Sequence, residues 1–148
     1  MSEPISEIPI VTGHTTEKSD ELKLERVKHT VLVVEDDPSN RELLVEMLSM
    51  WGYEPLPVGS AEEAEFATRR KLVSAAIVDV FLPGKSGTNL IPKLRERFPD
   101  IMVIGMSALG DAAMARKCKG VGADLFINKP VRAEQLSDAL KSKHQSWH

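Results

Sequence analysis

The sequence predicts an α/β fold in which helices cover both faces of one doubly wound, five-stranded parallel sheet. Residues 30–34, 75–78 and 101–106 are apolar runs without polar alternation, which is typical of strands buried on both faces of a parallel sheet. Segments with apolar residues at helical spacing separate these runs, so that a strand-helix pair occurs five times. A chain of 148 residues suits a single domain of this kind.

The first strand-helix unit begins with residues 30–34, and three acidic residues follow the strand directly. Asp37 suits the N-cap of the next helix, because its side chain can accept a hydrogen bond from a main-chain N–H of the first turn. Pro38 suits the first helical position, where a missing N–H costs nothing. Apolar residues at helical spacing continue to Trp51, and Gly52 is a favourable residue for ending the helix.

The second unit begins with a short strand at residues 53–58. Pro55 and Pro57 cannot donate hydrogen bonds within this strand, so we expect it at an edge of the sheet. Ser60 then caps a helix that we expect to extend to about Arg70. The predicted inner face of this helix consists of Ala64, Phe66 and Ala67.

The third strand runs from Ala75 to Asp79, which lies where the strand should end and a Pro-Gly turn follows. A carboxylate at the end of a buried strand is costly unless it has hydrogen-bonding partners or a metal ion. A helix is predicted to open at Ser86 and to continue to Phe98, with Pro92 tolerated in its early part.

Two further units complete the pattern. The fourth strand leads into a weakly amphipathic, alanine-rich helix, and the fifth is followed by a Lys-Pro pair and a final helix. The predicted ranges are residues 101–106, 111–119, 125–128 and 132–143.

The first 28 residues differ in character from the rest. They mix proline, glycine, serine and threonine with charges of both signs, and no strand or helix pattern holds over residues 1–16. Residues 17–28 are helix-forming, with Leu22, Leu24 and Val27 as possible apolar contacts, but their loose spacing predicts no more than a frayed helix. We interpret residues 1–28 as a flexible N-terminal arm and residues 29–145 as the folded domain.

Composition excludes several classes of function. A net charge of -3 and an aromatic content of 5% argue against a nucleic-acid-binding surface. No apolar run approaches the roughly 20 residues that a membrane-spanning helix needs, and the N-terminus lacks the pattern of a signal peptide. Cys118 is the only cysteine, so an internal disulfide is impossible. We expect a cytoplasmic protein.

Polar residues follow four of the five strands at the point where each ends. Glu35 and Asp36 follow the first strand, Asp79 ends the third, and Ser107 and Lys129 follow the fourth and fifth. In open parallel sheets the ligand site lies beyond the carboxyl ends of the strands, so these side chains should converge. Carboxylates that close together repel one another unless a cation lies among them, and Mg²⁺ is the hard, oxygen-seeking ion that suits such a site.

This set of residues is suited to phosphoryl transfer. Asp79 can act as a nucleophile, because aspartyl phosphate formation is a known use of a carboxylate. Lys129 would neutralise the phosphoryl oxygens, and Ser107 could donate a hydrogen bond to one of them. Each residue also has an ordinary structural explanation: an acidic cluster at a helix N-terminus, a turn aspartate, a solvated lysine. Their coincidence at the ends of the strands favours a functional site over those explanations.

The chain from about Thr30 to Lys143 resembles a response-regulator receiver domain of the two-component phosphorelay family, whose fold is flavodoxin-like. Four motifs carry the resemblance, and their order along the chain makes it specific. They are residues 31–38 (VLVVEDDP), 79–87 (DVFLPGKSG), 106–108 (MSA) and 122–130 (GADLFINKP).

The resemblance implies a role for each residue of the site. Asp79 is the phosphoacceptor, which Lys129 and Ser107 assist. Ser107 and Phe126 are the hydroxyl and the aromatic residue of the activation switch, where Thr and Tyr are common in the family. The resemblance also implies a cis peptide bond between Lys129 and Pro130.

A second set of implied roles concerns the metal ion and the lifetime of the phosphoryl group. Glu35, Asp36, Asp79 and the main-chain carbonyl of Phe81 are the expected Mg²⁺ ligands. Phe81 and Leu109 match the positions that tune dephosphorylation in the family. Because two apolar side chains cannot orient an attacking water molecule, we predict a long-lived phosphoryl group.

The expected function is a switch that accepts phosphate from a phosphohistidine on a histidine kinase or a histidine phosphotransfer protein. The partner of the switched face would be a downstream effector protein, and homodimerisation through the last two helices is a further arrangement to test. The chain catalyses only its own phosphorylation and dephosphorylation in this interpretation, so it is not an enzyme acting on other substrates. We expect no DNA-binding output domain, because the chain ends soon after its last helix.

Two other functions are compatible with a fold of this class. A pseudo-receiver would bind a partner without being phosphorylated, but the complete set of site residues argues against it. A Mg²⁺-dependent phosphohydrolase with an aspartate nucleophile normally needs a second aspartate two residues later, where this chain has Phe81.

Overall fold

The computed structural model describes residues 28–82, 84, 86–109, 112–144 and 147. Strands and helices alternate throughout this part of the chain. In chain order they are β1 (Thr30–Val34), α1 (Pro38–Met50), β2 (Glu54–Val58), α2 (Ala61–Ala67), β3 (Ala75–Asp79), α3 (Gly87–Arg97), β4 (Met102–Ser107), α4 (Ala112–Gly120), β5 (Leu125–Asn128) and α5 (Ala133–His144).

All five strands are parallel and form one sheet in the order β2-β1-β3-β4-β5. The predicted fold class, a doubly wound five-stranded parallel sheet, is therefore confirmed. The chain moves outward from β1 to β2 on one side and then from β3 to β5 on the other. The direction of winding thus reverses between β1 and β3, and a crevice forms at the carboxyl ends of these two strands.

The sheet is covered by helices on both faces. On one face, Val31 and Val33 of β1 pack in a cluster with residues of α1 and α5, namely Leu44, Leu48, Leu136 and Leu140. On the other face, Leu32 and Val34 pack in a cluster with residues of α2, α3 and α4, namely Ala61, Ala64, Leu90, Ile91, Leu94 and Cys118. Successive residues of β1 thus serve opposite cores, which explains why the strand is apolar throughout.

The edge position that the two prolines predicted for β2 is confirmed, because β2 pairs with β1 alone. Glu54 donates its main-chain N–H to the His29 carbonyl, at a distance of 2.9 Å. Since N–H groups two residues apart in a strand point the same way, Pro55 and Pro57 would direct theirs away from β1. Their missing donors therefore cost the sheet nothing.

The extent and inner face of α2 differ from the prediction. The helix ends at Ala67 rather than near Arg70, and Phe66 is 72% exposed instead of facing the core. Ala61, Ala64 and Thr68 form the buried face, since their spacing of three and four residues places them on one side of the helix. Phe66 lies on the opposite side, where the Arg69 guanidinium carbon lies 5.6 Å from the centre of its ring.

Helix α4 packs against the sheet through one fully buried residue. Among its nine residues, which the structure describes completely, Cys118 is the buried one. A Cβ atom at Gly105 of β4 would lie 2.2 Å from the Cys118 sulfur and 3.6 Å from the Phe126 ring. The sulfur therefore fills the space that a side chain at position 105 would need. Burial raises the pKa of the Cys118 thiol, so the group stays protonated at neutral pH.

Trp147 closes the end of the sheet opposite the predicted site. It is 9% exposed, and the centre of its indole ring lies 4.5 Å from that of His29 and 5.4 Å from that of His144. Tyr53 contributes a further edge-on contact to the indole. This aromatic cluster joins the segment before β1 to the segment after α5.

Three remaining expectations concern the ends and the surroundings of the chain. The predicted arm, residues 1–28, lies outside the described residues except for Lys28. The last two helices begin at Ala112 and Ala133, within one residue of the predicted starts, although Asp111 itself is not described. None of the helices that the structure describes has both the length and the apolar character needed to cross a membrane.

Candidate functional site

The predicted site lies in the crevice at the carboxyl ends of the strands, where β1 and β3 are neighbours. Val33 and Val34 of β1 pair with Ile77 and Val78 of β3, so Glu35, just after β1, and Asp79, the last residue of β3, come next along the two segments. The parallel register thereby brings the acidic loop after β1 alongside the last residue of β3.

Asp79 is 4% exposed, and both of its carboxylate oxygens have hydrogen-bonding partners. Its Oδ1 accepts a hydrogen bond from the main-chain N–H of Phe81, at 2.9 Å. Its Oδ2 lies 2.5 Å from the ammonium nitrogen of Lys129. The cost of burying this carboxylate is therefore offset by one amide donor and one cation.

Glu35 is buried more completely, with 1% of its surface exposed. Its Oε1 lies 2.5 Å from the Lys129 ammonium, and its Oε2 accepts a hydrogen bond from the main-chain N–H of Asp37 at 3.1 Å. Asp36 is exposed, but one oxygen from each of Glu35, Asp36 and Asp79 can be chosen so that all three lie within 4.8 Å of one another. The structure thus brings together four of the five residues that were predicted to converge.

The buried charges perturb the ionisation of the site. Burial raises the pKa of Glu35 above its ordinary range, and this effect outweighs the hydrogen bonds from Lys129 and Asp37, which lower it. Burial alone would lower the pKa of Lys129, but the hydrogen bonds to Asp79 and Glu35 raise it above its ordinary value. Lys129 is therefore held as a cation between two acidic side chains.

The donor set fits a hard divalent cation. Three carboxylates offer oxygen ligands within one small volume, and a single lysine does not balance their charge. The unfavourable burial of Glu35 is a further sign that the cluster would gain from additional positive charge. Mg²⁺ needs few protein carboxylates and retains several water molecules, so the exposed side chain of Asp36 does not conflict with binding.

Ser107 lies at the end of β4, directly after Met106, the residue that pairs with Asp79. It is fully buried, and its hydroxyl oxygen accepts a hydrogen bond from the main-chain N–H of Leu109 at 3.0 Å. Its carbonyl accepts a hydrogen bond from the Lys129 N–H at 2.9 Å, which ties β4 to the segment after β5. The peptide bond between Lys129 and Pro130 is cis.

The remaining predicted residues lie around the carboxylates rather than among them. Phe126 lies in β5 opposite Gly105, and its half-buried ring packs against the core on the side of α2, α3 and α4. Phe81 and Leu109 are 49% and 78% exposed, so they present apolar surface next to the site.

Two residues that support the site were not identified from the sequence. Gly87, at the start of α3, approaches the backbone of Asp79 so closely that a Cβ atom there would lie 2.2 Å from the Asp79 carbonyl oxygen. Arg41 of α1 donates a hydrogen bond from Nη1 to the Glu35 carbonyl at 2.9 Å. A glycine at a helix start and an arginine one turn into a helix are ordinary features in a sequence, so neither carried a distinguishing signal.

The sequence model of the response regulator receiver domain matches residues 31–141 of this chain. A curated relative from Thermotoga maritima, named cyclic di-GMP phosphodiesterase, is 37% identical over 115 residues, which make up 78% of this chain and 30% of the relative. Response regulator protein FleR of Pseudomonas aeruginosa is 38% identical over 114 residues, which make up 77% of this chain and 24% of the relative. The chain therefore spans less than a third of the length of these two relatives.

A solved structure of a response regulator from Thermotoga maritima has the same fold. Its TM-score is 0.73 at 29% sequence identity, and the alignment covers 80% of this chain and 99% of that one. Receiver domains in general interact with histidine kinases or phosphotransfer proteins and with effectors. With the family match spanning most of the folded part, the chain belongs to the response regulator receiver domain family of two-component signalling.

Proposed function

We propose that residues 29–145 form a phosphoryl-accepting switch in which Asp79 receives the phosphoryl group from a phosphohistidine. The observation that carries this proposal is the position of Asp79, whose carboxylate lies 2.5 Å from the Lys129 ammonium and within a cluster of three converging carboxylates. A buried nucleophile, a fixed cation and a set of metal-ligating oxygens are the parts that phosphoryl transfer requires.

In the proposed reaction, a carboxylate oxygen of Asp79 attacks the phosphorus atom as the bond to the imidazole nitrogen breaks. The electron pair of that bond passes to the imidazole of the donor. The Lys129 ammonium, which already contacts Asp79, is near enough to pair with an oxygen of the arriving phosphoryl group. The Ser107 hydroxyl, whose oxygen accepts from Leu109, can direct its proton to another phosphoryl oxygen.

Glu35, Asp36, Asp79 and the carbonyl of Phe81 would hold Mg²⁺ in this scheme. The ion, when bound, neutralises part of the charge on the phosphoryl oxygens. The role of this chain's carboxylates is to place that charge beside the nucleophile. The Phe81 N–H, which donates to Asp79 Oδ1, orients the carboxylate at the same time.

The switch would consist of Ser107 and Phe126. Movement of the Ser107 hydroxyl towards a phosphoryl group would leave room for the Phe126 ring to move inward, and the surface of α4, β5 and α5 would change with it. The phosphoryl group biases this equilibrium by as much as it binds one state better than the other. An effector protein, or a second copy of the chain bound through α4 and α5, would read the change.

A long lifetime of the phosphoryl group is part of the proposal. Phe81 and Leu109 flank the site with exposed apolar side chains, and neither can hydrogen-bond to an attacking water molecule. We expect dephosphorylation to accelerate when polar residues replace them, as in the variant Phe81→Asn/Leu109→Glu. A half-life that is short in the unmodified protein and unchanged in this variant would contradict the assignment.

A docking surface for the phosphodonor lies beside the site. Leu43 of α1 is 55% exposed, and with Leu44, Met47 and Val131 it lines a cavity of about 350 Å³ that reaches Lys129. An apolar side chain next to the histidine of a kinase or phosphotransfer protein would fit there. Leu43→Asp should slow transfer from a protein donor and leave transfer from a small acyl phosphate unchanged.

The decisive experiment is labelling of the purified protein with acetyl phosphate in the presence of Mg²⁺. We expect one phosphoryl group per chain, none in Asp79→Asn, and unchanged labelling in Asp100→Asn, an exposed aspartate outside the site. Labelling that persists in Asp79→Asn would refute the assignment. Failure of the unmodified protein to bind either Mg²⁺ or beryllofluoride would favour a phosphorylation-independent interaction domain, and turnover of a generic phosphate ester would favour a phosphohydrolase.

A further inference from the structure

Arg41 hydrogen-bonds to both ends of the acidic loop that follows β1, residues 35–37. Its main-chain N–H donates to the Asp37 carbonyl, and its side-chain Nη1 donates to the Glu35 carbonyl, both at 2.9 Å. One residue of α1 thereby spans the three-residue loop that carries the candidate metal ligands Glu35 and Asp36. The Arg41 side chain is half-buried, so this charged hydrogen bond is partly shielded from water.

Apart from its ion pair with Lys129, Glu35 is held by three hydrogen bonds, and the one from the Arg41 guanidinium to its carbonyl is the first of them. Its main-chain N–H donates to the Val58 carbonyl at 3.1 Å, and its side chain accepts from the Asp37 N–H. Without Arg41, the carbonyl side of Glu35 and the peptide unit that leads into Asp36 would lose their side-chain partner. Asp36 is exposed, so its direction depends on the backbone that carries it.

The turn between β2 and α2 leaves room for the Arg41 guanidinium. A Cβ atom at Gly59 would lie 3.2 Å from Arg41 Nη1, closer than side-chain atoms ordinarily approach. The Gly59 N–H donates to Glu63 Oε1 at 2.8 Å, which fixes the turn at this distance from α1. The absence of a side chain at Gly59 therefore allows the guanidinium to reach the Glu35 carbonyl.

We propose that Arg41 is a positioning residue for Mg²⁺, which holds the loop so that the carboxylates of Glu35 and Asp36 converge with that of Asp79 before the ion binds. This inference rests on the proposed function, because it assumes that these carboxylates bind the metal. Three carboxylates within 4.8 Å repel one another, and an untethered loop would relax by moving Asp36 outward. Part of the Mg²⁺ binding free energy would then be spent on ordering the acidic loop, which Arg41 otherwise orders before the ion binds.

The proposal predicts an effect on metal affinity rather than on chemistry. Groups that orient metal ligands without touching the metal typically change affinity by about 10- to 100-fold when removed. We expect the Mg²⁺ dissociation constant of Arg41→Ala, measured by isothermal titration calorimetry on the full chain, to rise about tenfold. Acetyl phosphate labelling should return to the unmodified rate when Mg²⁺ is saturating. Arg41→Lys should recover part of the affinity, because an ammonium can still donate to one carbonyl.

Arg97→Ala is the matched control for a general loss of stability. Arg97 also donates from Nη1 to a main-chain carbonyl, that of Glu65 at 3.2 Å, and to the Thr68 hydroxyl at 2.9 Å, but it lies between α2 and α3 and away from the acidic loop. We expect this variant to unfold at lower urea concentration and to keep the Mg²⁺ affinity of the unmodified protein. Equal shifts in affinity for the Arg41 and Arg97 variants would overturn the proposal, as would an unchanged affinity in Arg41→Ala.

Two additional variants complete the test. If Arg41→Ala does not fold, Gly59→Ala and Arg41→Lys decide the matter: each should weaken Mg²⁺ binding at least twofold, and unchanged binding in both would refute the role of Arg41. Asp36→Asn tests the metal site itself. If it binds Mg²⁺ as tightly as the unmodified protein does, or if the latter binds none, the proposed function fails, whereas tight binding that depends on Asp36 but not on Arg41 refutes this inference alone.

Discussion

The packing of Cys118 against Gly105 leads to a quantitative prediction about the core beneath α4. In Gly105→Ala, the new methyl carbon would lie 2.2 Å from the Cys118 sulfur, so the sulfur or the helix must move by more than an ångström. In Cys118→Ala, the sulfur is removed and a small cavity remains. In the double variant, the methyl group at position 105 occupies the space that the sulfur has vacated.

The expected free energies follow from these contacts. Overpacking in Gly105→Ala should lower the free energy of unfolding by about 1–3 kcal/mol. Alanine also restricts the unfolded chain more than glycine does, and this offsets about 0.5–1 kcal/mol of the loss. Loss of the buried sulfur should cost about 1.5 kcal/mol, which includes its transfer and cavity contributions. Additivity would then place the double variant about 3 kcal/mol below the unmodified protein, but restored packing should keep it within about 1 kcal/mol.

Urea unfolding, followed by far-ultraviolet circular dichroism, measures all four corners of this cycle. Gly120→Ala is the control, because its Cβ atom would meet nothing within 4 Å beyond its chain neighbours and its own helix backbone, although it lies two residues from Cys118. Its effect should be small and should add to that of Cys118→Ala. The reasoning is refuted if Gly105→Ala and Cys118→Ala are additive in the double variant, since the two side chains would then not compete for one space.

Three further predictions concern other parts of the molecule. Gly87→Ala should destabilise the fold by about 2 kcal/mol or more, because the new methyl group meets the backbone of Asp79 and Val80 at 2.2 and 2.8 Å. The variant should also show reduced acetyl phosphate labelling at saturating Mg²⁺. Equal stability of the variant and the unmodified protein in urea would contradict this prediction. Lys129→Met should cost about 3 kcal/mol at pH 7, because Glu35 and Asp79 lose their buried cation. Burial raises the pKa of Glu35 above 4.5, so the folded protein holds this proton more tightly than the unfolded chain does, and the burial penalty appears as the pH rises through the raised value. The deficit of Lys129→Met should thus shrink as the pH is lowered towards 4.5, and a deficit that grows instead would be inconsistent with this origin. Trp147→Ala should lose about 3 kcal/mol of stability through the loss of a ring that is 9% exposed, and a change below 1 kcal/mol in thermal and urea unfolding would show that the ring is not an anchor.

The elements whose type the sequence predicted correctly are those with a strong local cause. The strands β1, β3 and β4 carry apolar side chains on both faces, so a stable fold has to bury both faces. Pro38 and Asp37 define the start of α1 through the geometry of a helix N-terminus, and the Asp37 side chain accepts from the Asn40 N–H as a cap does. The two prolines of β2 have only one place in a parallel sheet, which is its edge.

The prediction for α2 shows where local reasoning fails. Phe66 is the largest apolar residue of that helix, and the apolar pattern predicts it on the inner face together with Ala64 and Ala67. In the structure the buried face of α2 consists of the small side chains of Ala61, Ala64 and Thr68, whereas Phe66 is exposed. Hydrophobicity sets which residues gain from burial, but packing density sets which of them have room.

The candidate site divides in the same way. The sequence alone could nominate the residues of the proposed site, because each ends or follows a strand and the strands of a parallel sheet end on the same side. These residues are Glu35, Asp36, Asp79, Ser107 and Lys129. Their placement at one edge of the sheet follows from topology, and topology is encoded in the alternation of strands and helices. The distances between these side chains cannot be derived from the sequence pattern.

The sequence by itself determined the fold class and the family, and it nominated the residues of the proposed site. The tertiary structure alone decided that Lys129 lies between two buried carboxylates. It also decided that Gly87 leaves room for the Asp79 backbone and Gly105 for the Cys118 sulfur, and that Arg41 hydrogen-bonds to the Glu35 carbonyl in the acidic loop. The physical reason is one of range. Strand burial, capping and proline geometry act within a few residues of the chain, whereas a missing Cβ atom or a guanidinium reaching a carbonyl has meaning only when distant segments are packed against each other.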